Sequence, residues 1–401
     1  MLVLAGISTR ALAGSAIRAS YEVQAVDYFG DLDHRQACRV TGLTTDLGLD
    51  RPTVEALCQV LDGIDFDGIV YTSPLENHPE LVARWEARGI LLGNGQHCLA
   101  RARNHPEFAR VLSRQGIRTP VTVYPGTSRP RHQPPGGPGG LRWLLKPSRG
   151  GGGIGVRLVD VPSIPRPGWL LQEFVPGVPA SATFLSDGRD WVLLGASRQI
   201  TGDIAQPAQG FRYAGNVVPL AVPEGFDACR IERQVRQLPP ILVGEFGLKG
   251  LNTVDFVATE VGISVLEINP RWSASVELLE AAMDLSLFGH HVEACRGSLH
   301  NVEGCPALPL CVPGEESPGQ FYGKAIVHAQ EQGRAQRLDP EAVTRLYLDG
   351  VRDIPHPRAR MRGGQPVCTV LATAGSHAHC MEQLRRQASL ARERCWQPCQ
   401  D

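Results

Sequence analysis

The chain has 401 residues, enough for roughly two or three domains, and its composition is that of an ordinary globular protein. Apolar residues make up 42% of the chain and charged residues 20%, which is typical of a fold built around a hydrophobic core. The formal net charge is −1, so electrostatics favours neither nucleic acid nor a membrane surface as a partner. No apolar run is long enough to span a membrane. Eleven cysteines without a C-x-x-C pair indicate neither a zinc site nor a disulfide framework, and we expect a reducing cytoplasm.

The segment from Leu2 to about Leu99 alternates between strand-like and helix-like runs. The predicted strands are Leu2–Ala5, Val23–Val26, Gly68–Tyr71 and Ile90–Leu92, and the predicted helices include Thr53–Leu61 and Pro79–Arg88. This alternation predicts a parallel α/β domain. The apolar start of the chain has no basic segment before it and no cleavage site after it, so we expect a buried first strand and not a signal peptide.

A turn, Gly6–Arg10, follows the first predicted strand and opens a helix. The N-terminus of a helix presents unpaired N–H groups that can bind an anion. The same turn can instead do no more than cap its helix, and the sequence leaves both interpretations open.

A glycine-rich hairpin is predicted after a helix within 104–120 and an exposed Pro- and Gly-rich loop over 125–140. The sequence LKPSRGGGGIGVRLV, residues 145–159, carries Lys146 at the end of an apolar strand, then four consecutive glycines, then another strand. Glycine has no Cβ and tolerates a positive φ, so bare N–H groups in this hairpin can approach an anion closely. With Lys146 as the nearby positive charge, the segment predicts a hairpin that covers phosphate.

The order of residues distinguishes this hairpin from two other phosphate-binding patterns. In a P-loop the lysine follows the glycines, and in the dinucleotide-binding fingerprint the glycines open a helix. Here Lys146 precedes the glycines and a strand follows them. An ordinary mobile loop is the alternative, because a glycine cluster alone is a weak signal.

Residues 251–283 predict a strand, a turn, a second strand and a helix, with three oxygen ligands on the strands. Glu267 and Asn269 are two residues apart and therefore lie on the same sheet face. If Asp255 lies opposite them, the three form an oxygen-only cluster of the kind that Mg²⁺ prefers. The alternative is a polar sheet edge facing water. Arg271 directly after this pair favours an anionic substrate beside the metal.

Together these segments resemble the ATP-grasp superfamily of ATP-dependent ligases over most of the chain. The resemblance implies that Lys146 and the glycine hairpin bind the phosphates of ATP, and that the stretch beginning Gln172-Glu173-Phe174-Val175 lies along the adenine edge. It implies that Asp255, Glu267 and Asn269 hold Mg²⁺, with Mn²⁺ as an alternative, and that Arg271 and Lys146 are the catalytic residues. The implied ATP-binding residues are Arg103, Lys146, Ser148, Gly151, Gly152, Gly153, Ile154, Gln172, Glu173, Phe174 and Val175.

Three shorter segments resemble a narrower group, described as predicted ATP-dependent carboligases. They are Gly6–Arg10, Ser197–Gln199 and Tyr213–Asn216. The chain departs from the superfamily at two places. Arg101, Arg103 and His105 stand where a second lysine is usual, and residues 177–181 contain no ribose-binding glutamate. Arginine can hold a phosphate, although with a different geometry from lysine.

The fold expected from this resemblance is an α/β ATP-grasp fold. It comprises an N-terminal Rossmann-like, or pre-ATP-grasp, domain over 1–103 and an ATP-grasp domain over 104–300. The second domain divides into a lid at about 120–175 and a metal-binding core at about 176–296. A β-rich closing segment over 301–401 contains predicted strands at 323–328 and 366–372.

The function expected from the resemblance is ATP-dependent ligation of a carboxylate to an amine, through an acyl-phosphate, on a small metabolite. An ATP-dependent carboxylase using bicarbonate and a non-catalytic ATP-binding regulatory protein are the alternatives. Glu277 and Arg198 are further candidates to face the substrate, although a structural or solvated role is the reading we favour for both. A cytoplasmic protein that binds no nucleic acid or membrane is expected, and a homodimer is compatible with the resemblance.

Overall fold

A computed structural model describes residues 1–126, 142–159, 164–202, 204, 210–299, 308, 310–313 and 316–399, with the backbone alone for 311–313 and 316–318. The loop predicted over 125–140 lies outside the described residues after 126. Among the described helices, none combines the length and apolar character needed to cross a membrane.

The N-terminal part is a four-stranded parallel sheet flanked by helices. Its strands lie in the order β3-β2-β1-β4, and both outer neighbours pair in register along the whole of β1. Every residue of β1 and β4 is buried, as expected for a parallel sheet covered on both faces. The elements are β1 (Leu2–Ala5), α1 (Arg10–Arg18), β2 (Val23–Asp27), α2 (Leu32–Ala37), β3 (Arg39–Gly42), α3 (Val54–Asp62), β4 (Gly68–Tyr71), a 3₁₀ turn (Leu75–Asn77), α4 (Pro79–Ala87) and α5 (Gln96–Ala102).

One predicted strand of this sheet is wrong. Residues 90–92 form only an isolated bridge, between Leu91 and Ile69. The fourth strand is β3. The sequence did not indicate it because it has only four residues, of which Val40 is the one apolar β-branched residue.

A helix and a small antiparallel sheet follow. Helix α6 (His105–Arg114) begins at Asn104, whose side chain accepts a hydrogen bond from the Glu107 amide, a standard N-terminal cap. The sheet has the order β5-β8-β6-β7, and Val123, Trp143 and Leu171 form its own small core. Its strands are β5 (Thr122–Val123), β6 (Trp143–Pro147), β7 (Arg157–Val159) and β8 (Trp169–Glu173). The glycine hairpin joins β6 to β7.

The largest sheet is antiparallel and has eight strands. Residues 178–295 supply its first five strands and the elements between and after them. In chain order these elements are β9 (Val178–Asp187), β10 (Trp191–Thr201), β11 (Tyr213–Val218), β12 (Leu220–Val222, outside this sheet), α7 (Ala228–Phe246), β13 (Lys249–Thr259), β14 (Gly262–Asn269), α8 (Val276–Met283) and α9 (Phe288–Cys295). The predicted strand, strand and helix over 251–283 are thus confirmed. Phe184 and Phe256 face α7, whereas Leu185 and Leu251 face α8, α9 and the N-terminal sheet, as the two-residue period of a strand requires.

The C-terminal strands extend this same sheet. Its strand order is β14-β13-β9-β10-β11-β16-β20-β18, so both predicted C-terminal strands are confirmed inside longer ones. The elements are β15 (Cys311–Pro313), β16 (Glu316–His328), β17 (Gly333–Ala335), α10 (Pro340–Leu348), β18 (Val351–Arg352), β19 (Arg360–Met361), β20 (Pro366–Ser376), α11 (His377–Cys395) and β21 (Trp396–Pro398). Strand β12 pairs with β15, and β17 pairs with both β19 and β21.

Candidate active site

The pairing of β13 with β14 brings the three predicted metal ligands together. Asp255 lies directly opposite Glu267, and Thr253 lies opposite Asn269. The Asp255 carboxylate accepts two hydrogen bonds of 2.8 Å, one from Asn269 Nδ2 and one from Gln199 Nε2. Two facing carboxylates and one amide oxygen form a donor set of the chemistry that Mg²⁺ uses. In the described part of the chain, no group of three or more His, Cys, Asp or Glu residues could hold a metal ion, so the amide is essential to this set.

The two carboxylates have opposite pKa shifts. Burial, together with the charge of Glu267, raises the pKa of Asp255 to about 7. Burial also acts to raise the pKa of Glu267, but the positive charges of Lys146 and Arg103 prevail and hold it at about 2. Two neighbouring acids often divide in this way, because the ionisation of one opposes that of the other.

Lys146 extends from β6 towards this carboxylate pair. Its Nζ lies 3.8 Å from Glu267 Oε2 and donates a 3.2 Å hydrogen bond to Gln172 Oε1. Gln172 in turn donates to Thr122 Oγ1 at 3.1 Å. The small sheet therefore holds the lysine against the large one, with 13% of its side chain exposed.

Arg103 approaches Glu267 from the end of α5, where sequence reasoning expected an arginine in place of the usual lysine. Its Nη1 lies 3.7 Å from Glu267 Oε2 and donates to the Ile268 carbonyl at 3.1 Å. Its Nε and Nη2 donate to Asn77 Oδ1 at 3.2 and 2.9 Å, and Nη2 is 3.4 Å from the Gly150 carbonyl. One guanidinium thus contacts the 3₁₀ turn after β4, strand β14 and the glycine hairpin.

Arg271 connects Asn269 of β14 to Glu76, a residue that the sequence analysis did not identify. Its Nη2 donates to Asn269 Oδ1 at 3.2 Å, and its Nε donates to Glu76 Oε1 at 3.1 Å. Glu76 and Asn77 lie in the 3₁₀ turn after β4. Binding residues often lie at the carboxyl end of a parallel strand. Their position after predicted strand β4 was therefore the one feature of the sequence that could have indicated Glu76 and Asn77.

The glycine hairpin lies against the start of β11. Gly152 and Gly153 have φ values of +60° and +68°, which strongly favour glycine. The Tyr213 amide donates a 2.9 Å hydrogen bond to the Gly152 carbonyl. A Cβ on Gly153 would lie 1.9 Å from the Phe211 carbonyl oxygen, whereas one on Gly152 would meet open space.

The expected adenine stretch is partly committed to contacts within the small sheet. The Glu173 carboxylate accepts hydrogen bonds from Arg118 Nη2 at 2.8 Å and from the Val121 amide at 3.0 Å. The Glu173 and Phe174 amides donate to the carbonyls of Val121 and Arg142. The Glu173 side chain therefore stabilises the small sheet. Any contact of this stretch with adenine would depend on its carbonyl groups and on Val175.

The remaining predicted ATP residues line the hairpin. The Ser148 amide donates to the Gly168 carbonyl at 2.9 Å, and Gly151 is close to Ser73, whose Oγ would lie 3.5 Å from an added Cβ. The Ile154 side chain is 62% exposed, so in this arrangement it does not face the carboxylate pair. The ATP-binding and metal-binding roles of all these residues remain predictions.

Comparison with known proteins identifies the central part of the chain. Residues 102–275 match the family model described as the ATP-grasp domain. An uncharacterized protein of Methanocaldococcus jannaschii is 24% identical over 204 residues, which is 51% of this chain. The match spans 42% of the length of that curated relative.

Two solved structures resemble nearly the whole fold. The L-amino acid ligase from Bacillus licheniformis has a TM-score of 0.66 and 15% identity, covering 97% of this chain and 96% of the ligase chain. The biotin carboxylase domain of 2-oxoglutarate carboxylase from Hydrogenobacter thermophilus, in complex with MgADP and bicarbonate, has a TM-score of 0.64 and 14% identity. It covers 93% of this chain and 86% of that one.

These matches confirm the resemblance to the ATP-grasp superfamily that was predicted from the glycine hairpin and the E-x-N pair. The family model includes both of those segments, and the structural similarity extends across the N-terminal sheet and the C-terminal strands. Residues 102–275 therefore match an ATP-grasp domain, and the chain as a whole has the ATP-grasp fold.

Proposed function

We propose that this protein is an ATP- and Mg²⁺-dependent ligase that joins a carboxylate to an amine through an acyl-phosphate, releasing ADP and phosphate. The observation that carries the proposal is the convergence of Lys146 and Arg103 on Glu267, which faces Asp255 under the glycine hairpin. Two cations beside a pair of metal-ligand carboxylates suit a polyphosphate bound together with its cation.

The metal would be held by Asp255, Glu267 and Asn269, with Mn²⁺ as a substitute for Mg²⁺. When bound, it supplies neutralisation of the charge on the phosphate oxygens. Lys146 and Arg103 would bind and orient the phosphates from the other side. Arg271, fixed by Glu76 and Asn269, would hold the reacting carboxylate and then the acyl-phosphate.

No protein nucleophile is required in this reaction, since the substrate carboxylate attacks the γ-phosphate and the amine displaces phosphate. The protein contributes position and charge. Exclusion of water matters because an acyl-phosphate hydrolyses, and the docked hairpin is suited to that role.

An ATP-dependent carboxylase is the second candidate. It is favoured by the structural similarity to a biotin carboxylase domain in complex with bicarbonate, as the ligase is by the similarity to an L-amino acid ligase. In either case we propose a small-molecule substrate and a cytoplasmic protein. The nine cysteines whose side chains are described are free thiols, which suits a reducing compartment. A homodimer is also proposed, to be tested by light scattering after size-exclusion chromatography.

Release of ADP, measured against a panel of acids and amines and against bicarbonate, tests the proposal. Turnover that requires both an acid and an amine, and that stops when EDTA removes the divalent metal, supports the ligase. Turnover that requires bicarbonate supports the carboxylase. Tight ATP binding without turnover under any of these conditions would contradict both and indicate a regulatory ATP-binding protein.

A further inference from the structure

A cluster of four charged residues lies beside the candidate active site and has no role in the proposed ATP chemistry. We call Arg10, Glu277, Lys324 and Asp353 the charge cluster. They come from the first residue of α1, from α8, from β16 and from the residue after β18. Four distant parts of the chain therefore meet at one point.

The contacts within the charge cluster centre on Arg10 and Glu277. Arg10 Nη1 and Nη2 donate to the two oxygens of Glu277, and Arg10 Nε donates to Asp353 Oδ1 at 3.0 Å. Lys324 Nζ donates to Glu277 Oε2 at 2.7 Å and to the Ala274 carbonyl at 3.2 Å. Asp33 Oδ2 lies 3.8 Å from Arg10 Nε as a further, buried carboxylate. Two cations and three carboxylates are thus held in one network.

The contribution of this network to the stability of the fold does not by itself explain why it is present. Removing paired charges from water costs about as much as their attraction returns, and often more. The carboxylates also retain contact with solvent, since 14% of the Glu277 side chain and 21% of the Asp353 side chain are exposed. Asp353 has a φ of 52°, in the left-handed region that aspartate adopts more readily than most residues other than glycine.

A row of polar side chains connects the charge cluster to the metal ligands. In antiparallel strands, directly opposed residues lie on the same face of the sheet. Glu267 opposes Asp255, which opposes Ser181, which opposes Ser197. On the far side of the row, Asn216 opposes Lys324.

Hydrogen bonds join the middle of this row. The Ser181 and Ser197 hydroxyls lie 2.9 Å apart, and Asn216 Nδ2 donates to Ser197 Oγ at 2.8 Å. The Tyr213 hydroxyl donates to Asn216 Oδ1, and the Tyr213 amide binds the hairpin carbonyl of Gly152. The charge cluster, the metal ligands and the hairpin are therefore all connected to one polar face.

In the charge cluster, both a cation, Lys324, and a carboxylate, Asp353, have unused hydrogen-bonding capacity. Among the contacts of the described residues, Lys324 uses two of its three N–H groups. Each Asp353 oxygen accepts a single bond from Arg10, and a carboxylate oxygen can accept two. A ligand that carries an ammonium and a carboxylate together would satisfy both kinds of group without changing the net charge of the network.

We propose that the charge cluster binds the zwitterionic α-amino-acid head group of the acid substrate, while the reacting carboxylate of that substrate lies at Arg271 and the metal ligands. The proposal rests on the ligase function proposed above. It names the acid as an amino acid that reacts through a carboxylate remote from its α-carbon.

Matched acids of several chain lengths test the proposal by calorimetric binding to the full chain in the presence of MgADP. At each length an ω-carboxy-α-amino acid, such as glutamate, is compared with the dicarboxylate that lacks the ammonium, such as glutarate. It is also compared with the amino acid that lacks the α-carboxylate, such as 4-aminobutanoate. At one chain length or more, the zwitterion is expected to bind at least about tenfold more tightly than both analogues, since each analogue lacks one of the two charged groups that would hydrogen-bond to the cluster.

Asp353→Asn is expected to abolish this preference. Asparagine has nearly the same shape and tolerates the same backbone conformation, so the fold is expected to persist. The matched control is Asp284→Asn, because Asp284 also has a φ of 52° but is exposed at the end of α8. Equal binding of the three acids at every length, no binding of any of them, or a preference that survives Asp353→Asn would overturn the proposal. If that variant does not fold, the wild-type comparison alone decides.

Trapping with hydroxylamine separates this proposal from the ligase function. Hydroxylamine attacks the acyl-phosphate, so that a hydroxamate and free phosphate form together with the ADP already released. Zwitterion-selective binding without hydroxamate would contradict the ligase and leave the head-group site standing. Hydroxamate formation without head-group selectivity would support the ligase and overturn the head-group site.

Discussion

At Glu267, two side chains from different parts of the fold determine the charge of one carboxylate. Lys146 and Arg103 lie 3.8 and 3.7 Å from the same Oε2 atom. Their positive charge explains why this acid stays ionised although burial opposes its ionisation. An ionised carboxylate that faces a second acid is well suited to hold a divalent cation.

Replacing Glu267 with Gln should therefore reduce ATP turnover by about a hundredfold or more, since a charged ligand and part of the phosphate-binding electrostatics are lost together. The fold should persist, because the amide has the same shape. Release of ADP and the circular dichroism spectrum measure the two effects. Glu260→Gln, at the exposed turn between β13 and β14, is the control. Turnover like that of the wild type in the Glu267 variant would refute the metal assignment.

Lys146→Ala should weaken ATP binding by roughly tenfold to a hundredfold, the usual effect of removing a charged hydrogen-bond donor. Lys146→Arg should recover only part of that affinity, because the larger guanidinium requires a different geometry. Calorimetric titration with ATP and Mg²⁺ measures both. Arg157→Ala, which removes an exposed cation from the next strand, should have little effect. Unchanged affinity in both Lys146 variants would mean that the hairpin is an ordinary loop.

Site residues were predicted where the evidence for them lies in neighbouring sequence, and were missed where it depends on distant parts of the chain. The E-x-N pair was recognised because residues two apart on a strand lie on the same face of the sheet. Lys146 was recognised because it shortly precedes the glycine run. Glu76 and Asn77 were not recognised, since their partners Arg271 and Arg103 are remote in sequence.

Among the structural elements, the glycine hairpin provides a test in which two neighbouring residues act as a matched pair. Gly152 and Gly153 both have φ in the left-handed region, so alanine at either position has a similar conformational cost of roughly 1–2 kcal/mol. Only at Gly153 would the added Cβ collide with the Phe211 carbonyl. Contact of the hairpin with β11 therefore depends on Gly153 in particular.

Gly153→Ala should slow ATP turnover by at least about tenfold, while Gly152→Ala should retain most of the activity, because only the first change prevents docking of the hairpin. The melting temperatures of the two variants should be similar, since neither glycine belongs to the core. Initial rates and thermal unfolding measure these effects. Equal activities in the two variants would show that docking on Phe211 is not required.

Hydrogen exchange examines the same hairpin in the wild-type protein. Amides over 148–156 should exchange more slowly when ATP and Mg²⁺ are bound, because the nucleotide orders the hairpin and its N–H groups bind phosphate. Exchange over β9, which is central in the large sheet, provides the internal reference. Exchange over 148–156 that does not respond to the nucleotide would contradict a role in covering phosphate.

Across the whole molecule, the N-terminal sheet is attached to the large sheet through α1 and α8. Glu280 on α8 accepts hydrogen bonds from Ser15 and from the Leu287 amide, and Arg18 lies 2.5 Å from its other oxygen. Burial nevertheless prevails, with a smaller contribution from the charge of Glu277, and raises the pKa of Glu280 to about 7. The contact between the two parts of the molecule should therefore depend on pH.

The direction of this dependence follows from the raised pKa. Below about pH 4.5 Glu280 is protonated in both the folded and the unfolded chain, so it contributes no slope. Between about pH 4.5 and 7 the unfolded chain loses the proton while the folded protein keeps it, and stability falls as pH rises. The total loss is about 3 kcal/mol, because burial raises the pKa of Glu280 to about 7 in the folded protein.

Glu280→Gln should remove this part of the pH dependence of stability, because the amide does not ionise. Urea unfolding of both proteins between pH 5 and 8 measures the difference between their slopes. Parallel curves for the wild type and the variant would show that Glu280 is ionised in the folded protein throughout this range.

The domain boundaries at residues 103 and 300 remain a proposal at this scale. The four-stranded sheet ends before 103, in agreement with the first boundary. Strands β16, β18 and β20, however, belong to the same sheet as β13 and β14. The C-terminal segment is therefore continuous with the ATP-grasp core, and its own hydrophobic core packs around α11.

The amino-acid sequence by itself determined the features whose physical basis is local. A glycine run tolerates positive φ wherever it occurs, and two residues on one strand share a face by the geometry of the backbone. These rules were enough to indicate the hairpin and the two strands that carry the proposed metal ligands. The ATP-grasp fold was expected because the motifs in these segments resemble that superfamily. Tertiary structure alone decided which cations reach Glu267 and how Arg10 meets Asp353, 343 residues away. Such contacts depend on strand pairing and on the packing of one sheet against another, and no pattern of neighbouring residues encodes them.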